Sequence, residues 1–163
     1  MIEREKRWKL KGDVPTDAIK DKFIITQTYA DSKNPQIRVR KITRDNFEEF
    51  YHTVKYQLDN KNEREEIEQR ISKERYDRIF EVINKKPVVK ERTIVDISNG
   101  LVAEVDKFED SNVVIEVEFP TVEIMNEFEN NKPDWFGDEI KSNKSFSYLM
   151  FAKINNINIS IWD

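Results

Sequence analysis

The sequence predicts a mainly β domain of the α+β class, and three observations carry that prediction. About eight short stretches alternate apolar and polar residues with period two, two others repeat apolar residues at helical spacing, and Asp, Asn, Gly, Pro and Lys segments punctuate them. A chain of 163 residues fits one ordinary domain whose core needs neither disulfide nor structural metal. That domain is expected to span residues 1–154, leaving a short Asn- and Ile-rich tail at 155–163.

Taken in order, the strand-like stretches fall near residues 2–10, 22–29, 36–42, 47–56, 63–70, 87–93, 101–108 and 112–119. The last is the clearest: Val113, Ile115, Val117 and Phe119 make one apolar face, and Glu116 and Glu118 fall on the other. Residues 72–85 read as an amphipathic helix with Tyr76, Ile79, Phe80 and Ile83 on one face, and 121–130 as another with Ile124, Met125 and Phe128. Each opens on a capping hydroxyl, Ser72 or Thr121, followed two residues later by a glutamate that suits the positive end of the helix dipole. Shorter helices are expected near 16–20 and 145–153, and the polar stretches 31–35 and 59–62 read as hairpin loops.

Composition narrows the chemistry. Charged residues make up 37% of the chain against about 25% in an average protein, while an aromatic share of 11% argues against a disordered polyelectrolyte. With 28 basic and 32 acidic residues the net charge is −4, so no broad basic field for nucleic acid is expected and any anion site must be local. The absence of cysteine and the single histidine, His52, remove thiol nucleophiles, iron–sulfur clusters, Cys/His zinc sites and any triad not built on His52. Three glycines cannot assemble a phosphate-cradling loop, so a phosphate would be held by side chains. The N-terminus lacks an apolar signal core and no run approaches the length of a membrane span; cytoplasmic residence without a membrane partner is the expectation.

The excess charge is patterned. Residues i and i+2 of a strand share a face about 6.6–6.8 Å apart. At that spacing stand Glu3, Glu5 and Arg7; Arg38 and Arg40; Tyr51, Thr53 and Lys55; Arg64, Glu66 and Glu68; Lys90 and Arg92; Glu104 and Asp106; and Glu116 and Glu118. One reading is the solvated face of an antiparallel sheet. Yet acidic and basic pairs are segregated by strand, which suits a concave or closed surface, and about eight strands closed on themselves leave room for one small ligand. Clustered carboxylates without His or Cys favour Mg²⁺ or Mn²⁺, and clustered Arg and Lys favour phosphate, so together they describe a metal–polyphosphate site.

These residues resemble the CYTH superfamily, the triphosphate tunnel metalloenzymes. Glu3-Arg4-Glu5-Lys6-Arg7 is similar to the family's Glu-x-Glu-x-Lys, with Arg for the final Lys. Thr26-Gln27-Thr28-Tyr29 resembles its Gln-Gly-Tyr strand, Arg38-Val39-Arg40 its Arg-x-Arg and Thr53-Val54-Lys55 its Thr-x-Lys. Arg64-Glu65-Glu66-Ile67-Glu68, Lys90-Glu91-Arg92, Glu104-Val105-Asp106-Lys107-Phe108 and Glu116-Val117-Glu118-Phe119 follow in family order, then the segment from Pro133 to Ile140. The likeness covers about residues 2–152; it departs at Arg7, at Thr28 where the family has glycine, and near Lys144-Ser145-Phe146, where the family often has Lys-Arg-Tyr.

The resemblance implies a closed eight-stranded antiparallel β-barrel, forming a tunnel, flanked by a few helices. It also implies action on triphosphate compounds with a divalent metal, the family including inorganic and thiamine triphosphatases, RNA 5′-triphosphatases and class IV adenylyl cyclases. By that likeness Glu3, Glu5 and Glu118 would ligate a first ion, and Glu116, Asp106 and Glu68 are candidates for a second. Arg38, Arg40, Lys55, Lys90 and Arg92 would clamp the phosphates, joined by Arg64, Lys144 and Tyr29. Arg7, Lys55, Lys90 and Arg92 are the candidates nearest the chemistry; Glu66, Glu104 and Arg64 could instead be salt-bridge partners, and Tyr29 a core tyrosine. Hydrolysis leads, with cyclic AMP formation or binding without turnover as the alternatives. The expected partner is a small triphosphate molecule, an RNA 5′ end being the one nucleic acid retained, with the chain a monomer or homodimer.

Overall fold

A computed structural model describes residues 1–30, 34–142 and 144–159, so most of the loop expected at 31–35 and the last part of the tail lie outside the described residues. The eight expected stretches form β1 (Ile2–Leu10), β2 (Ile19–Tyr29), β3 (Gln36–Arg44), β4 (Phe47–Gln57), β5 (Glu63–Ile71), β6 (Val88–Asp96), β7 (Val102–Phe108) and β8 (Val113–Glu118). They pair antiparallel in the order β5-β4-β3-β2-β6-β7-β8-β1, and β1 returns to β5 by setting Glu3 opposite Arg64 and Arg4 opposite Glu63. The closed eight-stranded barrel is therefore present, and closure leaves the sheet no free edge along that seam.

A ninth strand, β9 (Phe136–Glu139), was not legible as a strand: it has four residues, one of them glycine, and no apolar alternation. It lies along β1 beyond the point where β5 ends, pairing Trp8 with Glu139 and Leu10 with Phe136. Gly137 permits that approach, since a Cβ there would sit 2.9 Å from the carbonyl oxygen of Lys9.

Among the described residues three α-helices complete the fold, α1 (Lys73–Ile83), α2 (Val122–Phe128) and α3 (Phe146–Ile154), while 16–20 yields only a 3₁₀ turn at Thr16–Ala18. Each helix is capped by a hydroxyl that accepts a backbone N–H: Ser72 from Arg75, Thr121 from Ile124 and Ser145 from Tyr148. Asn84 ends α1 in the left-handed conformation.

The helices divide the apolar residues into three clusters. Outside the barrel, Trp8, Ile115, Val117 and Phe119 pack under Met125 and Phe128 of α2 and under Phe136 of β9. Val39 and Phe50 pack under Tyr76 of α1. The third cluster is inside: Tyr29, Val88, Phe108 and Val114 point inward from their strands and meet Tyr148 and Phe151 of α3, with Ile157 and Ile159 of the tail packed against them. Burial of a large apolar side chain contributes about 1.5–3 kcal/mol, so this layer fixes α3 as a plug across one end of the barrel. Among the described residues no helix is long and apolar enough to cross a membrane.

Candidate active site

Directly opposed residues of antiparallel strands share a face, so the register assigns the interior. Across β1 and β8, Glu5 faces Glu118 and Arg7 faces Glu116; across β7 and β8, Glu104 faces Glu116. Across β3 and β4, Arg38 faces Thr53, and across β4 and β5, Lys55 faces Glu66 and Thr53 faces Glu68. Across β6 and β7, Arg92 faces Asp106. Among the inward side chains, those of β1, β7 and β8 (Glu3, Glu5, Glu104, Glu116, Glu118) form an acidic wall and those of β3, β4 and β6 (Arg38, Arg40, Lys55, Lys90, Arg92) a basic wall around a cavity of about 160 Å³. Glu66 and Glu68 of β5 complete the ring, and Ser145 and Ser147 floor it at the α3 end.

Exposure shows which end is open. Along β7 the inward side chains go from 1% exposed at Asp106 to 30% at Glu104; along β8 they go from buried Glu116 to exposed Glu118. The mouth thus lies opposite α3.

The interior charges are extensively paired. Lys55 reaches Glu3 at 3.1 Å and Glu66 at 3.6 Å, and Arg40 reaches Glu68 at 3.1 Å. Asp106 receives Arg92 through both oxygens, at 2.7 and 2.8 Å, and Lys90 at 2.8 Å, while Lys90 also donates to the Ser147 hydroxyl at 2.7 Å. Arg38 differs. It is buried, and among the described residues it forms no ion pair with a carboxylate and its Nε–H, like that of Arg40, has no hydrogen-bond partner. A buried guanidinium without a carboxylate partner is costly, and Arg38 is therefore placed where an anion in the cavity would meet it.

Titration follows the same pattern. Burial, then the Glu5 charge, pushes Glu116 up to about 7, and burial with Glu3 and Glu104 does the same for Glu118. Burial also works to raise Glu5, but Lys55, Arg7 and Arg64 outweigh it and hold that carboxyl well below the usual range. Asp106 is held low in the same way by Arg92 and Lys90. Burial brings Lys90 down to about 8 and, with Arg38 and Arg92 alongside, Arg40 to about 10.

The donor set suits a hard cation. Among the described residues seven carboxylates line the cavity against five basic side chains, an excess that a divalent cation bound there would offset. Among the described residues no three carboxylates are grouped as a ready-made cage; binding an ion requires side chains to leave their Lys and Arg partners.

Several expected site residues lie in the walls or beyond them. The Arg7 guanidinium donates to the carbonyl oxygens of Ser142 (2.9 Å) and Lys144 (3.3 Å) and to Glu5 (2.7 Å), and with Arg64 it borders a separate small seam pocket. Arg64 also donates to Glu5 at 3.1 Å. Asp106 sits behind the cavity surface in its ion triad. Tyr29 is fully buried against Tyr148 and Phe151 with its hydroxyl on Gln27. Lys144 is placed just before the α3 cap, beside the Arg7 contacts. His52 lies on the outer face opposite Val39. Ser147 was missed; a serine within the otherwise apolar Phe146-Ser147-Tyr148 was the available signal.

No protein-family profile and no curated protein matches the sequence. Solved structures do. The inorganic triphosphatase NE1496 aligns over 96% of this chain and 95% of its own, at 20% identity and a TM-score of 0.61. The PH1819 protein of Pyrococcus horikoshii OT3 aligns over 93% and 99%, at 19% identity and 0.64. The putative adenylyl cyclase HpAC1 of Hippeastrum, described as revealing a dominant triphosphatase activity, aligns over 93% and 95%, at 15% identity and 0.58. With a closed eight-stranded antiparallel barrel that aligns with these structures over nearly its whole length, this chain has the triphosphate tunnel fold.

Proposed function

We propose that the protein is a metal-dependent hydrolase of triphosphate compounds. The observation that carries this reading is Arg38, a buried cation facing the cavity without a carboxylate partner among the described residues, beside Arg40, Lys55 and Arg92 and across from an acidic wall. The neighbours named as triphosphatases support the same reaction class.

In this mechanism Arg38, Arg40, Lys55 and Arg92 bind the phosphate chain, with Arg forks gripping two oxygens at once. Lys90, anchored by Ser147 and Asp106, faces the end nearest α3 and neutralises charge as the bridging P–O bond breaks. Glu3, Glu5 and Glu118 would hold Mg²⁺ or Mn²⁺, which when bound polarises phosphate oxygens and screens them from the glutamates. The water oxygen bonds to the terminal phosphorus, the bridging electron pair leaves with the remaining phosphates, and Glu116, whose proton affinity lies near neutrality, accepts the water proton.

The test is a product assay on inorganic triphosphate, ATP, thiamine triphosphate and triphosphorylated RNA, with Mg²⁺, with Mn²⁺ and with excess chelator. Metal-dependent phosphate release is expected. Full activity in chelator would remove the metal, and stoichiometric cyclic AMP and pyrophosphate from ATP would replace hydrolysis by cyclisation.

A further inference from the structure

The phosphate-binding wall continues past the clamp. On β3 the inward side chains after Arg38 and Arg40 are Ile42 and Arg44, which places Arg44 about 14 Å beyond Arg40 at about 3.4 Å per residue, toward the open mouth. On β2, Phe23 stands directly opposite Arg92 of the clamp and faces inward with it. The Arg44 guanidinium carbon lies 4.2 Å from the centre of the Phe23 ring, and its Nη1 is 2.6 Å from Asp21. Arg44 is thus held between an aromatic face and a carboxylate while its side chain remains 29% exposed.

Neither contact serves the phosphate site. Arg44 pairs with no cavity carboxylate, and neither Arg44 nor Phe23 borders the charged cavity itself. What they present is a planar cation backed by a ring and fixed in orientation. Guanidinium planes and aromatic faces are the surfaces on which heteroaromatic rings stack. Inorganic triphosphate carries no group that could use them; an organic triphosphate held by Arg40 and Arg92 with its terminal phosphate toward α3 would extend its substituent in this direction.

We propose that Phe23 and Arg44, with Asp21 as tether, form a stacking subsite at the cavity mouth for the planar ring of an organic triphosphate, making a ring-bearing triphosphate the preferred ligand over inorganic triphosphate. The proposal rests on reading the cavity as a triphosphate clamp.

Calorimetric titration of the full chain in Mg²⁺ with a non-hydrolysable ATP analogue and with the non-hydrolysable imido-bridged form of inorganic triphosphate tests it. Tighter binding of the analogue is expected, and Phe23→Leu and Arg44→Lys should each reduce the ratio of the two affinities about tenfold, the order expected for losing one stacked ring. Two variants on different strands guard against one failing to fold, which thermal unfolding monitors. A thiamine triphosphate arm separates a cationic ring from a nucleobase as the occupant. An unchanged ratio in both variants would overturn the subsite and leave the clamp standing, whereas a wild-type chain that binds neither ligand would overturn both.

Discussion

Glu5 and Glu118 stand directly opposite each other across β1 and β8, yet their carboxyl groups are driven in opposite directions. Glu5 is bound by Arg7 at 2.7 Å and Arg64 at 3.1 Å and titrates well below the usual range. Glu118, nearer the mouth, forms no ion pair among the described residues and is pushed up to about 7.

The sign of each effect on stability follows. Glu5, depressed, contributes stability that is present above its unfolded value and lost as pH falls through its folded value. Glu118, raised, favours the folded state below its unfolded value, and that contribution is lost as pH rises through about 7. In metal-free buffer at pH 8, Glu118→Gln should therefore raise the melting temperature, with the gain vanishing near pH 5. Glu5→Gln should lower it by about 10 °C, the consequence of breaking a buried pair worth about 3–5 kcal/mol. Scanning calorimetry at the two pH values checks both, and a stabilising Glu5→Gln would contradict the pairing described.

Activity should be bell-shaped in pH. Glu116 must lose its proton to act as base, which sets an acid limb near 7, and Lys90 loses its charge above about 8 in the free protein. A proton on Glu118 also competes with the divalent cation, so apparent Mg²⁺ affinity should rise with pH up to about 7 and then level. Initial rates over a Mg²⁺ by pH grid provide the measurement. Glu116→Gln should flatten the acid limb along with most of the rate; an unshifted limb would assign it to another group.

Arg38 allows binding to be separated from folding. Because it pairs with no carboxylate among the described residues, Arg38→Ala removes an uncompensated cation and should leave the melting temperature unchanged or higher. Its loss should weaken triphosphate binding about 10- to 100-fold, the range for one charge-assisted hydrogen-bonding group. Titration calorimetry and thermal unfolding on the same sample decide it, and a variant that melts at lower temperature yet binds with unchanged affinity would refute the assignment.

Much of this was legible because strand periodicity and charge segregation are local signals. Glu116 and Glu118 alternate with Val113, Ile115 and Val117, which separated the two faces of β8 before any pairing was known. Which inward charges meet is not local. Asp106 and Arg92 lie 14 residues apart in sequence, and only register shows that Asp106 is engaged by Arg92 and Lys90 behind the cavity surface. The mouth was equally hidden: Phe23 and Arg44 look like ordinary strand residues until β2, β3 and β6 are laid side by side. β9 escaped because its pairing depends on a glycine approaching Lys9, which four residues without alternation do not announce.

Arg7 joins the first strand to the plug. Its guanidinium spans the Ser142 and Lys144 carbonyls and Glu5, so one planar group ties the segment preceding α3 to a candidate metal ligand. A lysine has a single ammonium and cannot reproduce that fork. If Arg7 positions α3, both Arg7→Lys and Arg7→Met should speed amide hydrogen exchange across Phe146–Ile154, Arg7→Met more strongly because it also leaves Glu5 short of a partner in a buried site. If Arg7 instead acts by contacting phosphate, Arg7→Lys should preserve both charge and exchange protection and lose only turnover. Exchange measured by mass spectrometry alongside KM and kcat separates the two: loosened α3 in both variants supports the positioning role, and full protection with a fallen kcat would transfer Arg7 to the reacting phosphate.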